Sequence, residues 1–173
     1  MVRLQLSIRA ELENVTDLTP ADPLEYEWTF QVKCNSCNEV HPKMVSMNRK
    51  EERELANGKG NTANFVWKCG SCKRESSAKF EPLPKGPKNK DLPLTYTAEA
   101  SEEQKFAPLA ILDCRGLEFT GFNPTGFWQC AGTESGTVFS DIDLGEGEWT
   151  EYDEKAKQPV GIMNIESKWA RAP

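Results

Sequence analysis

Two cysteine pairs, Cys34-Asn-Ser-Cys37 and Cys69-Gly-Ser-Cys72, carry the clearest chemistry in the sequence. A CxxC pair at a tight turn can aim two thiolates at one ion. Two such pairs complete a tetrahedral all-sulfur shell, which suits Zn2+. The expected metal ligands are therefore Cys34, Cys37, Cys69 and Cys72, holding one Zn2+ per chain. Ligand type alone leaves iron in the same cage open. Two redox CxxC pairs are the competing reading, but a thioredoxin-like motif belongs in a βαβ context that this chain lacks. A gap of 31 residues separates the pairs, against ~15–20 in the usual ribbon pattern. The longer loop costs only about 0.5 kcal/mol of closure entropy, small beside the ~10–16 kcal/mol that a structural zinc supplies. The segment from Val40 to Asn61 thus reads as an elaborated excursion between two turns.

Four protein ligands close the shell, whereas a catalytic zinc keeps a position open. The single histidine, His41, follows Cys37 by four residues and would have to displace a thiolate to become a ligand. The zinc-deaminase signature fails, because Glu39 precedes His41 and Lys68, not proline, precedes Cys69. One histidine gives no Ser-His-Asp or Cys-His constellation, and no glycine motif that cradles phosphate occurs. No catalytic residue is expected. Cys114 and Cys130 read as small apolar core residues. A second soft-metal site would require the two to meet in space.

The turns need strands to present them. Tyr26, Trp28, Phe30 and Val32 alternate with polar residues up to the first pair, and Ala63–Lys68 leads into the second. Leu4, Leu6 and Ile8 alternate near the start. Phe119–Phe122, Phe127–Cys130, Thr137–Phe139 and Gly161–Ile165 read as further short strands between glycine, proline and asparagine breaks. Asn48 to Asn57 has a possible cap and a Lys50/Glu54 pair but almost no apolar face, and reads as a solvated helical turn or a loop. The sum is a mainly β protein with a zinc-ribbon-like four-cysteine site. Residues 81–105, rich in proline and charge, form a seam. The division expected is a zinc-binding β-lobe over 1–80, a crossing segment over 81–105, and an acidic β-lobe without metal over 106–173. The lobes read as a duplication, as two β-sandwich or barrel-like units: Trp28–Cys34 is echoed by Phe127–Cys130, and Arg9–Glu13 by Arg115–Glu118. On that alignment the second copy keeps one of four sulfur positions.

The 173 residues are enough for a hydrophobic core without disulfide staples. The longest nearly apolar run, Phe106–Leu112, contains Pro108 and is far short of a membrane span of ~20 residues. Polar residues interrupt the start of the chain, so no signal peptide is expected. The expectation is an intracellular protein, cytoplasmic with the nucleus as a second location, where paired cysteines hold metal more often than they form disulfides. The net charge of −6 conceals an asymmetry. Residues 31–80 carry ten basic and five acidic side chains, and residues 106–173 five and eleven. A basic ribbon with Trp28, Phe65 and Trp67 for stacking would suit nucleic acid. The plainer account is that Lys33, Lys68, Lys73 and Arg74 offset the −2 charge of a four-thiolate zinc site. The acidic run Asp141–Glu154 reads as a solvated face and turn.

Three blocks, Phe30–His41, Gly58–Glu75 and Leu112–Glu118, resemble those of a eukaryotic family of small proteins of unknown function, the CXXC-motif-containing zinc-binding proteins. They stand in the family's order, and the resemblance covers essentially the whole chain. It implies two related β-lobes, with zinc in the first at the positions of Cys34, Cys37, Cys69 and Cys72, and an intracellular setting. Phe119 stands where many relatives would have proline, which touches no ligand. The resemblance supplies no reaction. Together the residues point to a non-enzymatic zinc protein, a monomer that binds a protein partner and no membrane. Metal handling or thiol redox chemistry is the first alternative, and a nucleic-acid-binding ribbon the second.

Overall fold

A computed structural model describes residues 2–56, 60–90 and 92–173. The strands are β1 (Val2–Glu13), β2 (Val15–Pro20), β3 (Trp28–Cys34), β4 (Val45–Met47), β5 (Arg53–Glu54), β6 (Thr62–Ala63), β7 (Phe65–Lys68), β8 (Glu75–Phe80), β9 (Ala107–Arg115), β10 (Leu117–Asn123), β11 (Phe127–Gly132), β12 (Val138–Asp143), β13 (Trp149–Asp153) and β14 (Gln158–Arg171). The mainly β architecture expected from alternation is what the chain adopts. Side chains with a period of two bury one face, as in β3, where Trp28, Phe30, Val32 and Cys34 are all buried between half-exposed neighbours.

A curled sheet runs in the order β13-β14-β1-β9-β8-β7, flanked by β10-β3-β4 and β12-β11-β2, with β5 and β6 as a separate hairpin. Exchanging β1 with β9, β2 with β10, β3 with β11, β4 with β12, β7 with β13 and β8 with β14 turns the six-stranded order into itself reversed and the two three-stranded orders into each other; the β5–β6 hairpin alone has no counterpart among the described strands. The register agrees: the pair Leu4–Leu112 maps onto Ala110–Leu6, and Gln5–Ile111 maps onto itself. A pseudo-twofold axis therefore passes between Gln5 and Ile111, and the two halves of the chain are copies of one fold. The copies interlock. β10 pairs with β3, β2 with β11, and β8 and β14 each cross to the other half's first strand. Hydrogen bonding and the single apolar core thus run through both halves. The aromatic side chains of that core, Trp28, Phe30, Phe119, Phe122, Trp128 and Trp169, pack tilted or edge-on at centroid separations of 4.8–6.3 Å.

The structural match corrects the sequence echo. Phe30 corresponds to Trp128 and Val32 to Cys130, because each sits at the same distance from its knuckle along the paired strand. Cys34 therefore corresponds to Gly132. The short motif Trp-Gln-Cys had aligned cysteine with cysteine, whereas backbone pairing aligns turn with turn.

Within 48–56 there is no helix. Asn48 accepts the N–H groups of Lys50 and Glu51 in a side-chain turn, and Asn57 lies outside the described residues. The α-helix that does form, α1 (Ala98–Glu102), lies in the proline-rich seam. Thr97 caps it by accepting the Ala100 N–H, and Ser101 ties it to β1 by accepting the Leu12 N–H and donating to the Ala10 carbonyl. No described helix is long and apolar enough to cross a membrane.

Candidate metal centre

Both cysteine pairs sit in turns of one geometry. β3 delivers Cys34 to the first. The Cys34 N–H donates to the Glu39 carbonyl at 2.9 Å, and the Asn38 N–H to the Cys34 carbonyl at 2.8 Å. In the second, the Cys69 N–H donates to the Arg74 carbonyl at 3.1 Å, and the Lys73 N–H to the Cys69 carbonyl at 3.0 Å. Asn38 and Lys73 take the left-handed conformation that lets the chain double back, with φ of +62° each. The first turn is fixed to the sheet by the Asn35 N–H, which donates to the Gly116 carbonyl at 3.0 Å. Gly116 has φ +78°, and a Cβ there would lie 2.7 Å from Ser76 Oγ, so glycine is required.

The four sulfurs lie within 4.8 Å of one another. Cys34 and Cys72 approach to 3.6 Å, as do Cys37 and Cys69. A tetrahedral ion with Zn–S bonds of ~2.3 Å has an S···S edge of about 3.8 Å, so the cage has the size of one metal ion. The separation is far beyond a disulfide bond of ~2.05 Å, and all six cysteines are free thiols. Cys34 and Cys69 are buried, Cys72 half-buried and Cys37 exposed. Without metal, backbone N–H groups of Cys37 and Ser36 and the neighbouring thiols outweigh desolvation and bring Cys34 down to about 6. The N–H groups of Cys72 and Ser71 likewise hold Cys69 down. The Glu39 N–H lowers Cys37, but desolvation and the thiols of Cys69, Cys34 and Cys72 prevail and push it up to about 12. Metal binding requires Cys37 to give up the proton that this environment favours.

His41 is not part of the cage. Its ring stands edge-on to Trp67 at 5.7 Å. Cys114 and Cys130 are buried in the core, outside the cage, and desolvation pushes each up to about 12. Trp28, offered as a stacking residue, is buried, and Phe65 and Trp67 are half-buried on β7. Of the four cations beside the sulfurs, Lys33 is engaged with Glu118 at 3.2 Å.

The second half reproduces both turns without sulfur. The Gly132 N–H donates to the Thr137 carbonyl at 2.9 Å, the Gly136 N–H to the Gly132 carbonyl at 3.0 Å, and the Thr133 N–H to the Asn14 carbonyl at 3.0 Å. These are the bonds of Cys34, Asn38 and Asn35, residue for residue. Gly132, Ser135, Asp153 and Ala156 therefore occupy the four ligand positions, and all four sulfurs are lost. A direct hydrogen bond replaces the metal bridge: Ser135 Oγ donates to Asp153 Oδ2 at 2.5 Å. The other carboxylate oxygen accepts the N–H groups of Lys155 and Ala156. The carboxylate fills the space that the Cys34 side chain has in the first half, since a Cβ on Gly132 would lie 2.6 Å from Asp153 Oδ2. Reading the acidic run as a solvated face missed Asp153, which is 1% exposed. Only its pairing identifies it.

Known proteins match this arrangement over its length. The family described as CXXC motif containing zinc binding protein, eukaryotic, matches residues 5–170. The CXXC motif containing zinc binding protein of Bos taurus is 38% identical over 171 residues, 99% of each chain. That of Homo sapiens is 34% identical over 171 residues, again 99% of each. The crystal structure of C1orf123 superposes with a TM-score of 0.84 at 32% identity, covering 98% of this chain and 99% of that one. With the four-cysteine cage in place and the likeness running end to end, the chain belongs to the eukaryotic family of CXXC motif containing zinc binding proteins.

Proposed function

We propose that the cage holds one structural Zn2+ and that the protein is a non-enzymatic interaction module of the cell interior. The observation that carries this reading is the closed shell. Four sulfurs at tetrahedral spacing leave no coordination position for a substrate or a reactive water. Exposed apolar side chains beside it support a partner surface there. Val40 and Met44, just past the first turn, are 44% and 40% exposed and flank the exposed Pro42 and Lys43. Two exposed apolar side chains so close in sequence, beside a proline and a lysine, are what supports placing the contact here.

The test has two arms. Metal analysis of the purified chain returns one zinc per chain, and Cys69→Ser lowers that stoichiometry. Affinity capture with the wild type retains a partner that a Val40→Asp, Met44→Asp double variant loses while keeping its zinc and its melting temperature. Undiminished capture by that variant overturns the assigned surface, and a chain that folds normally without any metal overturns the structural role.

The exposure of Cys37 favours metal handling as a second reading. Zinc that exchanges quickly with a chelator, with thiols that oxidise under mild conditions, would select it over the structural site.

A further inference from the structure

The pseudo-twofold axis brings out a pair of equivalent places that hold the same charges, two cations and one carboxylate, in different arrangements. On the outer face of the curled sheet, Arg9 of β1 stands opposite Glu166 of β14, and Ser7 opposite Lys168. The counterparts in the other half are Arg115 of β9 opposite Ser77 of β8, and Asp113 opposite Lys79. The first place is covered, and its carboxylate is joined to its arginine. Arg9 forms an ion pair with Glu166, and the Phe106 ring lies between the Arg9 guanidinium at 4.6 Å and the Lys168 ammonium at 4.5 Å. The second has serine where the glutamate would be and no ring over its cations. Among the described residues, neither Arg115 nor Lys79 has a carboxylate within ion-pair distance.

A cavity of about 250 Å3 opens there, between the β5–β6 hairpin and β8–β9, and its lining includes Arg115, Lys79, Ser77, Thr62, Asn61 and Asp113. The hydroxyls of Ser77 and Thr62 and the side-chain amide of Asn61 also make no hydrogen bond among the described residues. Two cations and three neutral polar groups with unused hydrogen-bonding capacity thus face one space. The single acid in the lining is Asp113, whose charge also acts on Arg3.

We propose that this cavity is an anion site and that its ligand class is inorganic phosphate. The Arg115 fork and the Lys79 ammonium match an oxyanion, and a guanidinium can hold two of its oxygens at once. The volume is below the ~300–1,000 Å3 of pockets for drug-sized ligands, which suits a small ion. Asp113 selects within that class. A fully ionised oxyanion meets only repulsion at its carboxylate, whereas hydrogenphosphate retains an O–H that donates to it. Phosphate is accordingly held and sulfate, which has no proton at neutral pH, is discriminated against.

The experiment is an NMR titration of the zinc-loaded full chain with inorganic phosphate, and separately with sulfate, at constant ionic strength. Phosphate produces saturable shifts of the Ser77, Lys79 and Arg115 amides, and sulfate binds at least tenfold more weakly. Ser77→Glu, which rebuilds the pairing seen at Arg9 and Glu166, abolishes saturation while zinc content and melting temperature stay at wild-type values. Arg115→Gln, a neutral variant that introduces no carboxylate, weakens phosphate binding at least tenfold. The inference is overturned by the absence of saturation up to roughly 10 mM phosphate, well above the ~1 mM scale of weak binding. Equal binding by either variant, or sulfate binding as well as phosphate, overturns it too.

Discussion

Gly132 tests whether a carboxylate has taken the place of a metal-bound thiolate. Its counterpart is Cys34, so the backbone at this position accepts a side chain in the cysteine-bearing half. The glycine carries no positive φ, and the obstruction is purely one of space. In Gly132→Ala the new methyl would stand 2.6 Å from Asp153 Oδ2 and 2.8 Å from Ser135 Oγ. Both distances lie inside normal contact, and both atoms belong to the bond that joins the two turns. Overpacking of a tight interior costs about 1–3 kcal/mol. For a chain of this size each kcal/mol lowers the melting temperature by roughly 2–4 °C, so the substitution should lower it by roughly 2–12 °C. Gly70→Ala is the control. It sits in the second cysteine turn, has nothing within 4 Å of a new Cβ and no positive φ, and should change stability by at most about 0.5 kcal/mol. Thermal unfolding of both variants in saturating zinc, followed by circular dichroism, reads the difference. Ser135→Ala in the Gly132→Ala background removes one of the two obstructing atoms, so the double variant should be more stable than the sum of the single effects. A Gly132→Ala variant that melts with the wild type would refute the argument, because the carboxylate could then not be filling the place of the Cys34 side chain.

Two other outcomes follow from the same structure. The Asp153 carboxyl is held below its ordinary value by the Ser135 hydroxyl and, beyond the opposing effect of burial, by the N–H groups of Ala156 and Lys155. A group depressed on folding stabilises above its unfolded pKa, ~3.9, and loses that contribution as pH falls through the folded value. Ser135→Ala should therefore destabilise at neutral pH and flatten the loss of stability below about pH 4, measured by denaturant midpoints across pH; an unchanged acid limb would count against the pairing. Chelation should lower a single unfolding transition instead of melting residues 1–80 alone, because β3 is hydrogen-bonded to β10 and β8 to β9. Zinc at ~10–16 kcal/mol is comparable with a whole domain's stability of ~5–15 kcal/mol, so the shift should be large. Two resolved transitions by fluorescence and circular dichroism would contradict the interlocked sheet.

The gathering of the four cysteines was legible in the sequence because CxxC spacing is local. Two thiolates three residues apart at a tight turn meet one ion whatever the rest of the chain does, and the long gap between the pairs costs little entropy. Strand alternation was legible for the same reason, since a period of two is written into a handful of consecutive residues such as Trp28 to Cys34. What the sequence could not determine was pairing. The duplication showed only as faint echoes, and the Trp-Gln-Cys match set Cys130 against Cys34. Strand register, which joins residues a hundred positions apart, sets Gly132 there and finds Asp153 inside an acidic run that looked solvated. The cation at Arg115, with no carboxylate within ion-pair distance among the described residues, has the same origin. Whether an arginine is paired depends on which residue stands across the ladder, Glu166 for Arg9 and Ser77 for Arg115, and only the tertiary structure decides who stands opposite.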